Sequence, residues 1–186
     1  MAVTVSSLTQ GPGTLYSGDF GATEPADSAV ASTPAASAWT DLGGTNDGCT
    51  LKVDMTYSEL KVDQVVDVPG RRLTKRDVQL STNAAEPTLD NLAVVLNGGT
   101  VDDQSGYSTY EPIDDTSATQ PTYKAILLHG WAPGGLRAMV IVRRALSIEG
   151  IETAYKKGDQ TLFPVTFAGH YVSSVIKPFR VIYETA

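Results

Sequence analysis

CTLKVDMTY, residues 49–57, decides how this chain is read. Cys49, Leu51, Val53, Met55 and Tyr57 alternate with Thr50, Lys52, Asp54 and Thr56. A period of two, with one apolar and one polar face, describes a half-buried β-strand. LTKRDVQLS (73–81) repeats the pattern, with Val78 and Leu80 inward. If the two strands pair, their polar faces form one surface carrying Lys52, Asp54, Lys75 and Asp77. Between them KVDQVVDV (61–68) is strand-like but weaker, and Pro69-Gly70 signals a turn. Residues 58–72 therefore read as a long polar excursion between two core strands.

Working outward, EPTLDNLAVVLNGG (86–99) is the one strong helix. Pro87 suits its first position, Leu89, Leu92, Ala93 and Leu96 form an apolar stripe, and Asn97-Gly98-Gly99 ends it. Residues 101–122 read as a polar loop with room for one short strand. Four strand candidates follow: 123–130, 137–147, 161–169 and 174–184. RAMVIVRR within 137–147 is apolar on both faces, as a strand covered on both sides requires. Pro164 and Pro178 place their strands at an edge, a bulge or a strand start. The fold class expected is mainly β: an antiparallel β-sandwich or barrel with one flanking α-helix and an extended N-terminal arm.

That arm spans residues 1–45, and the folded domain spans 46–186. GPGTLYSGDFGATEPAD and SAVASTPAASA supply Gly, Pro and small polar residues with few large apolar ones. Leu15, Tyr16, Phe20 and Trp39 are its anchors, expected to dock on a surface of the same or a neighbouring subunit. The start of the chain lacks a basic segment followed by an apolar run, so no secretory signal is expected. No stretch approaches the roughly 18 apolar residues that span a membrane. The expected location is the cytoplasm, or a larger particle that leaves it.

Composition narrows the chemistry. The 186 residues carry a net charge of −7, against the basic footprint of a nucleic-acid binder. Cys49 is the only cysteine, which excludes an intrachain disulfide, and it reads as a packed thiol. ILLHGWAPGG (126–135) has the His-Gly of an oxyanion loop, yet no G-x-S-x-G accompanies it and helices do not alternate with strands. His129 reads instead as a strand-edge residue. His129, His170 and one cysteine fall short of a structural zinc set, and Asp102-Asp103 and Asp114-Asp115 lack EF-hand spacing. No catalytic residue, cofactor or metal is expected.

Arg71, Arg72, Lys75 and Arg76 crowd six positions after the Pro-Gly turn. Alternation puts Arg72 and Arg76 on one side and Lys75 on the other. No aromatics interleave with them, as a single-strand nucleic-acid groove would need. Glu59, Asp63, Asp67 and Asp77 lie close by. Local salt bridges are one reading; contact between copies of the chain is the other.

The order of GPGTLYSGDFGATEPAD, WTDLGGTNDGCTLKVDMTYSELKVDQ, RRLTKRDVQLSTNAAEPTLDNLAVVLNGG and KKGDQTLFPVTFAG resembles the major tail protein, or tail tube protein, of long-tailed bacteriophages, in particular those of actinobacteria. The resemblance implies a structural subunit of six-membered rings stacked into the conduit for DNA ejection. It implies self-assembly in the host cytoplasm and residence in the virion tail. Tail terminator, tape measure and baseplate proteins are the implied partners, and DNA passes without specific binding. By position, loop 58–76, the arm 1–45 and residues 180–186 would make the contacts between subunits and rings. Asp63, Asp67, Arg71, Arg72, Lys75 and Arg76 would lie at these interfaces with Leu15, Tyr16, Phe20 and Trp39. Asp54 and Asp77 are expected to face the lumen, and loop 101–122 to decorate the exterior. The alternative is a carbohydrate- or receptor-binding β-sandwich module, for which Trp131, Tyr107 and Tyr110 are the candidate aromatics.

Overall fold

The structure is a computed structural model that describes residues 4, 7–113 and 116–185. The first residues of the expected arm (1–3 and 5–6), the Asp114-Asp115 pair and Ala186 lie outside the described residues. In chain order the elements are β1 (Thr14–Asp19), β2 (Thr40–Asp41), β3 (Thr45–Leu60), β4 (Gly70–Ala84), α1 (Leu89–Val95), β5 (Thr100–Gln104), β6 (Tyr107–Glu111), β7 (Lys124–Trp131), β8 (Arg137–Ser147), β9 (Phe163–Gly169) and β10 (Phe179–Tyr183).

All pairings are antiparallel. The main sheet runs β2-β1-β7-β8-β9-β4-β3, and β10 also pairs with β8. β8 is the branch point: Ala138–Val142 pair with β10, and Ala145–Ser147 with β9. One strand thus serves two diverging sheets, which is how a sandwich turns its corner. The order ends at β2 and β3, which do not pair with each other, so no barrel closes.

Alternation explains the core. Leu15 and Tyr16 are neighbours on β1, so they point to opposite faces. Leu15 joins Leu42, Val78, Leu80, Val95, Ile126, Val142, Val165 and Phe167 on one face. Tyr16 joins Val30, Trp39, Leu127, Met139, Ile141 and Ile182 on the other. β1, β7 and β8 are therefore covered on both sides, as the two-faced apolar run of RAMVIVRR requires. Each fully buried aliphatic side chain contributes about 1.5–3 kcal/mol.

Several elements differ from expectation. Within the expected arm, Thr14–Asp19 is an interior strand paired with β7 over its full length. The segment that follows crosses back over the sheet, placing Val30 and Trp39 in the second core cluster. Trp39 Nε1 donates to the Thr23 carbonyl at 2.9 Å. Glycine- and proline-rich sequence is here a close-fitting cover: a Cβ on Gly18 would lie 2.7 Å from the Ala38 carbonyl oxygen. Residues 61–68 form no strand; they are the tip between β3 and β4. Residues 100–111 form a two-stranded hairpin, β5–β6, where a loop with room for one short strand was expected. The last strand begins at Phe179, after Pro178, not at 174.

The helix exists but is shorter and turned. Thr88 is its cap, accepting from the Asn91 backbone N–H at 3.2 Å, so Pro87 precedes the cap rather than opening the helix. The buried positions are Asn91 and Val95, not the leucine stripe, and Leu96 is exposed. Asn91 Nδ2 donates to the carbonyls of Leu42 and Glu86, which explains a buried amide on the inner face.

Candidate functional site

The two longest strands make one hairpin, and only half of it is supported. β4 pairs with β9 from Val78 to Ala84. Beyond Val78 the β3–β4 ladder continues alone to Leu60 and Gly70, and 61–69 close its tip. A lone two-stranded ribbon is marginally stable in water. This one also exposes apolar groups. Met55, Tyr57 and Leu73 extend the core-facing side of the sheet into solvent. Val62, Val65, Val66 and Val68 crowd the tip, and Val66 is fully exposed. A contiguous exposed apolar surface marks an interaction site.

A register shift re-sorts the charges. Thr56 faces Lys75 but Tyr57 faces Leu73, so Thr74 is an extra residue on β4. A bulge moves every later side chain to the other face. Arg76 therefore faces Met55 and Arg71 faces Glu59 on the apolar side, while Lys75 and Arg72 face Thr56 and Ser58 on the polar side. The expected grouping of Arg72 with Arg76 is thus replaced by two cations on each face. Arg71 binds its cross-strand partner Glu59 at 2.9 Å, and Lys75 binds Asp77 at 2.5 Å. Among the described residues, Arg72, Arg76, Asp63 and Asp67 make no ion pair.

Asp54 and Asp77 are direct cross-strand partners on the polar face. Lys52 binds Asp54 at 2.7 Å, and that contact raises the Lys52 pKa. Two lysines thus bracket two facing carboxylates, and the quartet is electrically balanced.

Other expected site residues lie elsewhere. Leu15, Tyr16 and Trp39 are buried in their own chain, because the sheet needs them on both faces; of the four anchors only Phe20 stays exposed. Within this chain they are core residues. His129 lies within β7, not at an edge: it is buried, with Nε2 2.9 Å from the Val30 carbonyl. Of the candidate aromatics, Tyr107 is exposed on β6. Tyr110 donates to the Gly98 carbonyl, and Trp131 lies against residue 11 with the Arg137 guanidinium 4.4 Å from its ring centre.

A family model described as phage tail tube protein matches residues 4–185. The chain belongs to the phage tail tube protein family. No curated protein sequence matches it. The family is structural and not enzymatic, so the tail tube subunit is read through its surfaces, not through a reactive centre. No helix among the described residues is long and apolar enough to cross a membrane.

Sequence reasoning missed the residues that hold the body rigid behind the hairpin. Asn97, at φ 60°, exchanges two 2.7 Å hydrogen bonds with the Ser147 backbone, tying the helix end to β8. Glu86 accepts from the Gly44 N–H at 2.8 Å. Arg143 grips Glu24 through two guanidinium nitrogens. Their partners lie 42 to 119 residues away, beyond any local pattern.

Proposed function

We propose that this tail tube subunit assembles as hexameric rings, and that the rings stack into the conduit through which DNA is ejected into the host. The unsupported half of the β3–β4 hairpin is the observation that carries this reading. It projects apolar groups and unpaired charges beyond the body, and a partner copy would cover them. Contacts of this kind join unlike surfaces, so they propagate instead of closing on themselves. Arg72, Arg76, Asp63 and Asp67 are the charges available to the neighbour, and Phe20 is the exposed anchor. The subunit would assemble in the host cytoplasm with a tape measure, a terminator and a baseplate as its tail partners.

The polar face of β3–β4 is proposed to line the bore, with Asp54 and Asp77 on it. Its balanced quartet would neither hold nor strongly repel DNA. The test is electron microscopy of the concentrated protein: rings and tubes are expected. A single species of fixed monomeric mass at all concentrations would overturn the assembly reading and favour a surface-binding module.

A further inference from the structure

A cleft on the second face of the body lies between the loop after β1 and the segment leading into β10. Phe20, Ala22, Trp39, Ile141, Val172 and Ile176 line it, around a volume of about 240 Å³. That is below the roughly 300–1,000 Å³ of small-molecule pockets. It suits a few small branched side chains. Its walls are already fixed. Arg143 binds Glu24 at 2.5 and 2.9 Å and also donates to the Lys177 carbonyl at 2.9 Å.

Two cations beside the cleft, Arg144 next to Phe20 and Lys177 following Ile176, have no carboxylate partner among the described residues. Arg144 stacks on Tyr123 at 4.0 Å and Phe20 at 5.6 Å, donates one N–H to the Tyr171 carbonyl, and keeps a buried Nε without a partner. Lys177 reaches only the Ser174 carbonyl, at 3.4 Å. The hairpin tip is the converse. Asp63 and Asp67 make no ion pair there, although Lys61 shares the tip, and they stand among Val62, Val65, Val66 and Val68, all exposed and so not seated in their own chain's cleft.

We propose that the β3–β4 tip of one copy seats in this cleft of a second copy. Its valines fill the apolar floor, and Asp63 and Asp67 meet Arg144 and Lys177. This rests on the hairpin being an assembly element and adds the surface that receives it.

Two proteins lacking the native thiol (Cys49→Ser) test it, one carrying Val66→Cys and the other Ile176→Cys. Mixed under assembly conditions and oxidised, they should give a disulfide-linked dimer of the two. Val66→Cys mixed with Tyr107→Cys should give none. In parallel, Asp67→Lys should weaken assembly about tenfold or more, and adding Lys177→Asp to the same chain should restore it. Tubes without the cross-link, with no rescue by Lys177→Asp, would overturn the cleft assignment while leaving the hairpin reading intact. If Asp67→Lys and loss of the tip both leave assembly unchanged, the hairpin reading falls too.

Discussion

His129 is 4% exposed, and its pKa lies below the usual histidine value. Burial is the main cause, the Arg137 charge adds to it, and the bond to Val30 opposes it. In the unfolded chain the same ring takes a proton near pH 6.5. Above that value both states hold it neutral, and its contribution is complete. As pH falls below about 6.5 the unfolded chain binds the proton first, so stability declines until the lowered native value is passed. The advantage of the native protein over His129→Gln in urea midpoint should therefore shrink from pH 7.5 to 5.5; a constant difference would contradict this. Leu15 offers a second test. Leu15→Ala should cost about 2–5 kcal/mol in denaturant unfolding, whereas exposed Leu8→Ala should fall within about 0.5 kcal/mol. Equal, small effects would return residues 14–19 to a loose arm. Composition concealed this strand because only Leu15 and Tyr16 are large, and each serves a different face. Their burial depends on strands more than 100 residues away in sequence.

At the scale of elements, alternation is a local property, and it was legible where one face is buried. It placed Val78 and Leu80 correctly, and the two-sided apolar run predicted the doubly covered β8. It misled at 61–68, where alternating valines look like a strand but lie in the hairpin tip. The bulge at Thr74 left no sequence signal, so the faces of Arg72 and Arg76 could not be read beforehand. The helix was legible through its apolar spacing and the Asn97-Gly98-Gly99 stop, but its start and phase were not, because Thr88 rather than Pro87 opens it and a buried amide satisfied by two carbonyls outranked a leucine. Asn97 separates conformation from bonding. Asn97→Gly keeps the left-handed φ at no strain yet strands two Ser147 backbone groups, so it should destabilise by about 1–3 kcal/mol. An unchanged melting temperature would show those bonds to be idle. On the hairpin, reversing Arg71 and Arg72 to Glu removes one exposed pair worth ~0–1 kcal/mol. The melting temperature of the isolated subunit should barely move, while sedimentation at high concentration should show assembly lost. Unfolding, or normal assembly, would contradict an interface role.

For the whole molecule, a net charge of −7 does not fix the charge of the face proposed to line the bore; the local residues do. Asp54→Asn with Asp77→Asn would leave Lys52 and Lys75 uncompensated on one surface, repeated by every subunit. Tubes of that variant should retain duplex DNA at low salt and release it as salt rises, whereas unaltered tubes should not. Equal retention would remove that face from the bore. In the proposed assembly, one body folds alone and the free half of the hairpin makes it polymerise. The direct measurement is electron microscopy, beside circular dichroism, of a chain in which residues 55–76 are replaced by an Asn-Gly turn joining Asp54 to Asp77, a sequence suited to a two-residue hairpin loop. A folded subunit is expected, with a β spectrum reduced only by the strand residues removed from β3 and β4, that forms no tubes at concentrations where the full chain does. Tubes of ordinary length from the shortened chain would contradict it.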